Sequence, residues 1–276
     1  MNLTDVDLVH ASPPLDAIMP AGGQDVLLYA FGGASLALLL YAIYISAVWK
    51  NWLPTLFWFG GLTAVMVEAI ADLGLNAVHP PVGQLNAFTS HGHPIPWHIV
   101  FAYPAYYGST QILLWPMIAK RTLTSSMAWK IFGISVIWVT LLEQFPLANG
   151  IWIYYGIHAF KIGHMPISMI VPNAASVIMV FLIIYKLAPA MNQGWKRLLA
   201  IPAIGLTALG THVGSAALMY NVMGMNLERM GPAFLNTMAL ISIVIGVVAV
   251  WMTIELAADK NDTSQPISSK ASKNQT

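Results

Sequence analysis

The chain has 276 residues, of which 57% are hydrophobic and only 8% are charged. Soluble domains carry about 25% charged residues, so this composition favours a membrane protein over a soluble fold. The net charge of +1 argues against a nucleic-acid partner. The sequence has no cysteine, which excludes disulfides, thiolate catalysis and cysteine-ligated metal centres.

The two ends of the chain differ from its apolar middle. Residues 1–25 contain four aspartates and no Lys or Arg, whereas a signal peptide needs a basic region before its apolar stretch. We therefore expect an extracytoplasmic N-terminal segment over 1–25 and a first apolar stretch that stays in the membrane. Residues 258–276 are rich in Ser, Lys, Asn and Gln, which predicts a disordered cytoplasmic tail.

Apolar stretches of helical length dominate residues 26–257. A bilayer core of about 30 Å needs about 20 apolar residues in a helix. Seven stretches reach that length: 26–49, 52–72, 95–118, 130–147, 166–188, 198–220 and 233–257. The sequence therefore predicts an all-α fold with seven transmembrane helices in one domain.

The basic residues predict the orientation of these helices. Most of them fall at the joints after odd-numbered stretches or in the tail: Lys50, Lys120, Arg121, Lys130, Lys186, Lys196, Arg197, Lys260, Lys270 and Lys273. The opposite side holds only Lys161 and Arg229. Because basic loops stay in the cytoplasm, we expect the N-terminus outside, the C-terminus inside and a bacterial inner membrane as the location.

A weak internal repeat relates stretches two and three to stretches four and five. His93 follows Glu68 by 25 residues, and His164 follows Glu143 by 21. Each histidine is preceded by a glycine and soon followed by a proline. Internal repeats are common in membrane folds that place a site at the repeat interface, although so short a match is also compatible with chance.

Acidic residues within the apolar stretches are the strongest functional signal. A charge at the bilayer centre costs about 2.5–3.5 kcal/mol. Glu68 and Asp72 lie one helical turn apart, and Glu143 lies near the outer end of the fourth stretch. Two such carboxylates repel when both are charged, so the pair is expected to share a proton and act as a general acid. Alternatively, the acids only bond neighbouring helices together.

Histidines form a second signal on the outer side. His91, His93 and His98 are of a type that binds zinc or copper, but their spacing does not define a metal site, and we predict none. His93 is instead a candidate base, because imidazole exchanges protons near neutral pH. His164 is its counterpart in the second half and a candidate for substrate binding.

Aromatic and amide side chains complete the predicted site. We expect four tyrosines at the outer ends of the third to fifth stretches to lie beside the acids: Tyr106, Tyr107, Tyr154 and Tyr155. Their ring faces could stabilise a cation, although an interfacial aromatic belt is the alternative. Two polar residues within apolar stretches are further candidates for substrate contact, or for bonds between helices: Asn173 and His212. No cofactor is predicted, and the last stretch lacks the lysine that retinal requires.

The sequence resembles a family of bacterial seven-helix membrane proteins. The resemblance covers about residues 60–220 and supports the fold without supplying a reaction. Its first part comprises Glu68-x-x-x-Asp72-x-Gly74, Gly83-Gln84-x-x-Ala87-Phe88, Pro94-Ile95-Pro96 and Tyr106-Tyr107-Gly108. Its second part comprises Glu143, Tyr154-Tyr155-Gly156, Gly163-x-x-x-Ile167 and Asn173-Ala174-Ala175.

A second resemblance is to the small seven-helix terpene cyclases of meroterpenoid pathways. These cofactor-free enzymes protonate an epoxide or alkene with membrane-embedded carboxylic acids, and Glu68 matches their early acid. They also place an acid in the last span, whereas residues 233–250 here contain none. Asp72 or Glu143 would have to substitute for it.

These observations lead to one functional hypothesis and its alternatives. We expect an enzyme that acts on an apolar, isoprenoid substrate from the lipid phase. Glu68 would be the acid with Asp72 sharing its proton, and Glu143 or His93 would be the base. The alternatives are a small-molecule, proton-coupled or metal-handling transporter, and a membrane accessory protein. The sequence leaves the oligomeric state open.

Overall fold

A computed structural model describes residues 11–225 and 227–258. The predicted tail, apart from Ala258, and the first ten residues of the predicted N-terminal segment lie outside the described residues. The fold is mostly helical. Its α-helices are α1 (Ala21–Val48), α2 (Leu53–Thr63), α3 (Met66–Leu75), α4 (Trp97–Tyr103), α5 (Ser109–Leu113), α6 (Trp115–Lys120), α7 (Ser125–Ala148), α8 (Ile167–Met191), α9 (Ala200–Met223) and α10 (Leu227–Ala257).

Six helical stretches of the described chain are long and apolar enough to cross a membrane. They are Ala21–Val48, Leu53–Leu75, Ser125–Ala148, Ile167–Met191, Gly194–Met223 and Leu227–Ala257. The prediction of a membrane-embedded helical protein is confirmed to that extent. The remaining predicted stretch, 95–118, is also helical, but it is divided into short segments.

Prolines explain why residues 97–120 do not form one continuous helix. Pro104 begins a π-helical turn, Pro104–Gly108, between α4 and α5, and Pro116 lies in the first turn of α6. Proline lacks an N–H and clashes with the preceding turn, so it breaks a helix interior. The π-helical turn packs closely against α2: a Cβ on Gly61 would lie 2.6 Å from Cα of Pro104.

Three two-stranded antiparallel sheets qualify the all-α prediction. They pair β1 (Ala77–Val78) with β4 (Ile153–Tyr154), β2 (Asn86–Ser90) with β3 (His93–Pro96), and β5 (Lys161–Ile162) with β6 (Met165–Pro166). Gly92 and Gly163 have positive φ at the turns of the second and third pairs, a conformation that favours glycine. These strands are too short to show a pattern of alternating burial in the sequence.

The central helix of the bundle is α8, which is buried along most of its length and packs against α7, α9 and α10. By contrast, α1, α7 and α10 expose large apolar side chains such as Leu36, Ile137 and Val244. Apolar residues exposed in this number suit a lipid environment, because a soluble monomer rarely leaves so large an apolar area in water.

The basic residues at the ends of several helices share one end of the bundle. The Arg121 guanidinium donates to the backbone oxygen of Tyr185, which joins the end of α6 to α8. The Asn51 amide donates to Asn192 at 2.9 Å, which joins the end of α1 to the same region. The Arg197 side chain also donates to Asn192, at 3.3 Å. The predicted acidic site lies toward the other end.

Candidate functional site

A cavity of about 200 Å³ lies among α1, α3, α4, the π-helical turn, α7, α8 and α9. Apolar and aromatic side chains form most of its wall, and polar groups reach it from α3, α7, α8 and α9. The polar or aromatic side chains that line it are Phe31, Glu68, Asp72, His79, Tyr103, Tyr106, Tyr107, Trp138, Glu143, Trp152, Tyr154, Asn173 and His212.

One side of the cavity holds the Glu68 cluster, which consists of Glu68, Asp72 and His79. The two oxygens of Glu68 accept different hydrogen bonds: one from the Tyr103 hydroxyl at 2.6 Å and one from Nε2 of His79 at 2.7 Å. The same Nε2 lies 3.9 Å from Oδ2 of Asp72. The imidazole therefore stands between the two carboxylates.

The chain brings His79 back to α3 through a tight helix end. Asn76 caps α3 in the left-handed conformation, with φ of 51°. The next residues form β1, which pairs with β4, and His79 follows directly. Burial acts to lower the pKa of His79, but the hydrogen bond to Glu68 and the charges of Asp72 and Glu68 outweigh it, so the pKa is raised.

Asp72 is the carboxylate of the cluster with unused bonding capacity. Its residue surface is 6% exposed, and its Oδ2 has no hydrogen-bond partner among the described residues. One ligand atom from each of Glu68, Asp72 and His79 lies within 4.8 Å of the other two. These three donors could hold a metal ion.

The Glu143 cluster lies across the cavity and consists of Glu143, Tyr154, Asn173, His212 and Tyr220. Glu143 accepts hydrogen bonds from the Tyr154 hydroxyl at 3.0 Å and from Nδ2 of Asn173 at 2.9 Å. Oδ1 of Asn173 lies 2.8 Å from Nε2 of His212, and Nδ1 of that ring lies 3.0 Å from the Tyr220 hydroxyl. Nε2 donates to the amide oxygen, because that oxygen can only accept, and both ring nitrogens of His212 are therefore paired.

Tyr154 of this cluster and the neighbouring loop residue His158 keep their neutral forms at neutral pH. Burial, followed by the charge of Glu143, raises the pKa of Tyr154 well above its usual value, so the hydroxyl remains a donor. His158 packs edge-on to Tyr154, with ring centroids 5.5 Å apart. Burial lowers the pKa of His158 to about 4, although its hydrogen bond to the backbone of Tyr155 opposes the shift.

Three tyrosines form the wall between the two clusters. Tyr103 ends α4, and Tyr106 and Tyr107 lie on the π-helical turn. The ring of Tyr107 is 5.6 Å from Tyr103 and 4.9 Å from Tyr106, and its hydroxyl pairs with Ser176 at 2.9 Å. The extra residue of a π turn helps to present these rings on one side of the helix.

The cavity opens sideways between α1 and α7. Ala34 on α1 is exposed, and Trp138 on α7 is 59% exposed. Both residues also line the cavity. Since α1 packs mainly on α2 and α4, and α7 packs mainly on α8, the gap between α1 and α7 faces the apolar outer surface of the bundle.

Most of the predicted site residues line this cavity: Glu68, Asp72, Glu143, Tyr106, Tyr107, Tyr154, Asn173 and His212. Three do not. His93 is buried at the start of β3, and Tyr155 is half-buried in the loop after β4. His164 is exposed at the turn between β5 and β6, where its backbone N–H donates to Gln144 at 3.0 Å.

Two residues of the site were missed as site residues in the sequence, His79 and Tyr103. His79 is one of several histidines between the second and third stretches, and its spacing from Asp72 matches no motif. Tyr103 is one of many aromatics near the membrane surface. The position of His79 follows from the end of α3 and the β1–β4 pair, and that of Tyr103 from the contact between α4 and α3.

Comparison of the chain with protein-family models, with curated proteins and with solved structures finds no match. The chemistry of the site is therefore argued from its own residues.

Proposed function

We propose that this chain is a membrane-embedded enzyme that transfers protons to and from an apolar, isoprenoid substrate. The observation that carries the proposal is a buried Asp72 carboxyl whose Oδ2 has no hydrogen-bond partner among the described residues. It lies in the same aromatic-walled cavity as the Glu143 carboxyl, both of whose oxygens accept hydrogen bonds. A group that gives a proton and a group that takes one are the minimum for cyclisation or isomerisation of an alkene or epoxide.

The hydrogen bonds divide the roles among the acids. Both oxygens of Glu68 are engaged, by Tyr103 and His79, so Glu68 orients the cluster. Asp72 presents the proton, because its Oδ2 is free to reach a substrate. Glu143 receives the proton on the other side, and His93, which does not line the cavity, has no part in our proposal.

The cavity wall suits a reaction that passes through a carbocation. Tyr103, Tyr106 and Tyr107 present aromatic rings to the space between the acids, and aromatic faces stabilise cations. Among the described lining residues there is no Lys or Arg. Mostly apolar walls also keep water from quenching it.

The location in the bilayer determines how a substrate arrives. We infer that residues 97–120 form a seventh crossing, since they pack beside α1 and α2. The gathering of Arg121 and Arg197 at one end supports a cytoplasmic position for that end. The cavity then lies in the outer half of a bacterial inner membrane, and its opening between α1 and α7 admits substrates dissolved in lipid. The internal repeat stays a prediction.

Conversion of isoprenoid probes tests the proposal. The full chain in lipid nanodiscs is incubated with farnesyl- and geranylgeranyl-substituted alkenes and epoxides, and products are separated by chromatography with mass detection. We expect an isomeric product of unchanged mass, because proton donation and loss cancel. Glu143→Gln should reduce its formation about 100-fold, whereas Glu255→Gln, an exposed acid far from the cavity, should not. Full turnover by Glu143→Gln would contradict the assignment.

A further inference from the structure

We propose that the Glu68 cluster binds a divalent transition-metal ion. Glu68 and Asp72 each supply a carboxylate oxygen and His79 supplies Nε2, and these three atoms lie within 4.8 Å of one another. Metal ligands at about 2.0–2.2 Å from one ion stand roughly 3 Å apart. The separations from Nε2, 2.7 Å to Glu68 and 3.9 Å to Asp72, are within about 1 Å of that geometry.

The charge of the cluster favours a cation. Asp72 and His79 are buried, and Glu68 is only partly exposed. Among the described residues, both carboxylates have the same ion-pair partner, the single imidazole of His79. Buried carboxylates are costly unless they are paired or coordinate metal. A divalent ion neutralises two carboxylates at once, which one imidazole cannot do.

An independent observation is the unsatisfied oxygen of Asp72. Buried side-chain oxygens almost always have a hydrogen-bond partner. Oδ2 of Asp72 has none within residues 11–225 and 227–258, although the residue is only 6% exposed and lines the cavity. The Glu143 cluster, built from similar groups in the same cavity, has no comparable free carboxylate oxygen. The unpaired oxygen therefore indicates a ligand at the Glu68 cluster and none at the Glu143 cluster.

The donor types indicate which ions fit. Two carboxylates and one imidazole suit zinc, manganese or ferrous iron, whereas copper(I) prefers sulfur ligands. Tyr103 donates to the second oxygen of Glu68 at 2.6 Å, which is how outer hydrogen bonds commonly orient a ligating carboxylate. Three protein ligands leave positions open toward the cavity, as in catalytic metal sites.

The metal also refines the proposed reaction. A bound metal ion makes its water more acidic, so a water on the open position would present the proton in place of Asp72. This last step rests on the proposed function, whereas metal binding itself does not.

Metal content provides the test. The full chain, prepared without a histidine tag in mild detergent, is analysed by inductively coupled plasma mass spectrometry. It is then stripped with EDTA and reloaded separately with Zn²⁺ and Mn²⁺. We expect close to one ion per chain, at least tenfold weaker reloading of Asp72→Asn and His79→Gln, and a rise in the Tm of the stripped wild type on reloading.

Two matched variants locate the ion. Glu143→Gln removes the other buried carboxylate of the cavity, and His91→Ala removes an exposed outer histidine; both should keep the metal. If the variants of the cluster do not fold, the stoichiometry and Tm shift of the wild type still decide. Wild-type protein that takes up neither ion would overturn the inference. Loss of the metal in His91→Ala, together with its retention in Asp72→Asn, would overturn it too.

The result is separable from the proposed function. A metal-free protein that converts isoprenoids, and loses this activity in Glu143→Gln, would leave the enzyme proposal intact and discard the metal. A protein that holds one ion at Asp72 and His79 but converts none of the probes would do the opposite.

Discussion

The Glu68 and Glu143 clusters contain similar side chains but differ in how completely these are hydrogen-bonded. In each, a glutamate accepts one hydrogen bond from a tyrosine hydroxyl and one from an N–H group. In the Glu143 cluster the bonds continue through Asn173 and His212, both of whose ring nitrogens are paired. In the Glu68 cluster a second carboxylate stands beside the histidine with a free oxygen.

The Glu143 cluster is thus a satisfied hydrogen-bond network, whereas the Glu68 cluster contains a carboxylate oxygen without a hydrogen-bond partner among the described residues. A satisfied buried network rigidifies the bundle, and breaking it leaves unpaired groups that are expensive. An unsatisfied buried group carries its cost already and recovers it when something binds. Substitutions that leave groups of the Glu143 cluster unpaired should therefore lower stability, whereas substitution of Asp72 should affect binding and turnover without lowering stability.

The largest expected effect is on activity, from Asp72→Asn. We expect kcat/KM for the isoprenoid probe to fall by about 10²–10⁴-fold, because an amide cannot supply the proton or bind the metal as a carboxylate does. The Tm of EDTA-treated protein should not fall below that of the wild type, since Oδ2 has no hydrogen-bond partner to lose among the described residues. Lower stability with unchanged turnover would reverse the roles of the two clusters.

The opposite pattern is expected from Asn173→Ala. This change removes the partners of Glu143 Oε1 and His212 Nε2 together. Leaving buried polar groups unpaired costs about 1–3 kcal/mol, which should appear as a lower Tm in the same detergent. Asn221→Ala is the control, because that exposed amide bonds only its own helix. Equal Tm values for the two variants would show that the hydrogen bonds of Asn173 do not contribute to the stability of the wild type.

The sequence was most informative at residues whose charged side chains are costly to place in lipid. Glu68, Asp72 and Glu143 stand out in apolar stretches because burying a charge is costly, and all three line the cavity. The helical character of 97–120 was also predictable, although Pro104 and the π-helical turn divide it.

Tertiary contacts determine the positions of the histidines, which could not be predicted from the sequence. His79 reaches Glu68 because Asn76 turns the chain and β1 pairs with β4, where Ala77 lies opposite Tyr154, 77 residues further on. His93 and His164 match each other in the sequence, but each lies beside the turn of its own hairpin, so the resemblance does not bring them into one site.

A smaller effect is expected when the loop over the Glu143 cluster is acidified. His158 has a pKa of about 4 in the folded protein and about 6.5 when unfolded. The unfolded chain therefore takes up the proton first, and stability is lost as pH falls from 6.5 toward 4, by about 1.4 kcal/mol per pH unit. Between pH 7 and pH 5, the Tm of wild type should fall more than that of His158→Gln. Parallel curves for the two proteins would contradict a neutral, partly buried His158.

The smallest expected effect concerns the opening that serves both clusters. Ala34→Trp places a large ring in the gap opposite Trp138, where an apolar chain would lie while its reacting end reaches between Asp72 and Glu143. We expect kcat/KM to fall about tenfold for a geranylgeranyl probe and less for a geranyl probe, because only the longer chain extends into the gap. The control, Leu36→Trp, changes a residue of α1 that is 57% exposed and does not line the cavity. An equal fall in kcat/KM for both probes would indicate general damage to the fold and would not support this path for the substrate. A loss that grows with chain length would instead mean that the gap between α1 and α7 holds the chain while the two clusters act on its end.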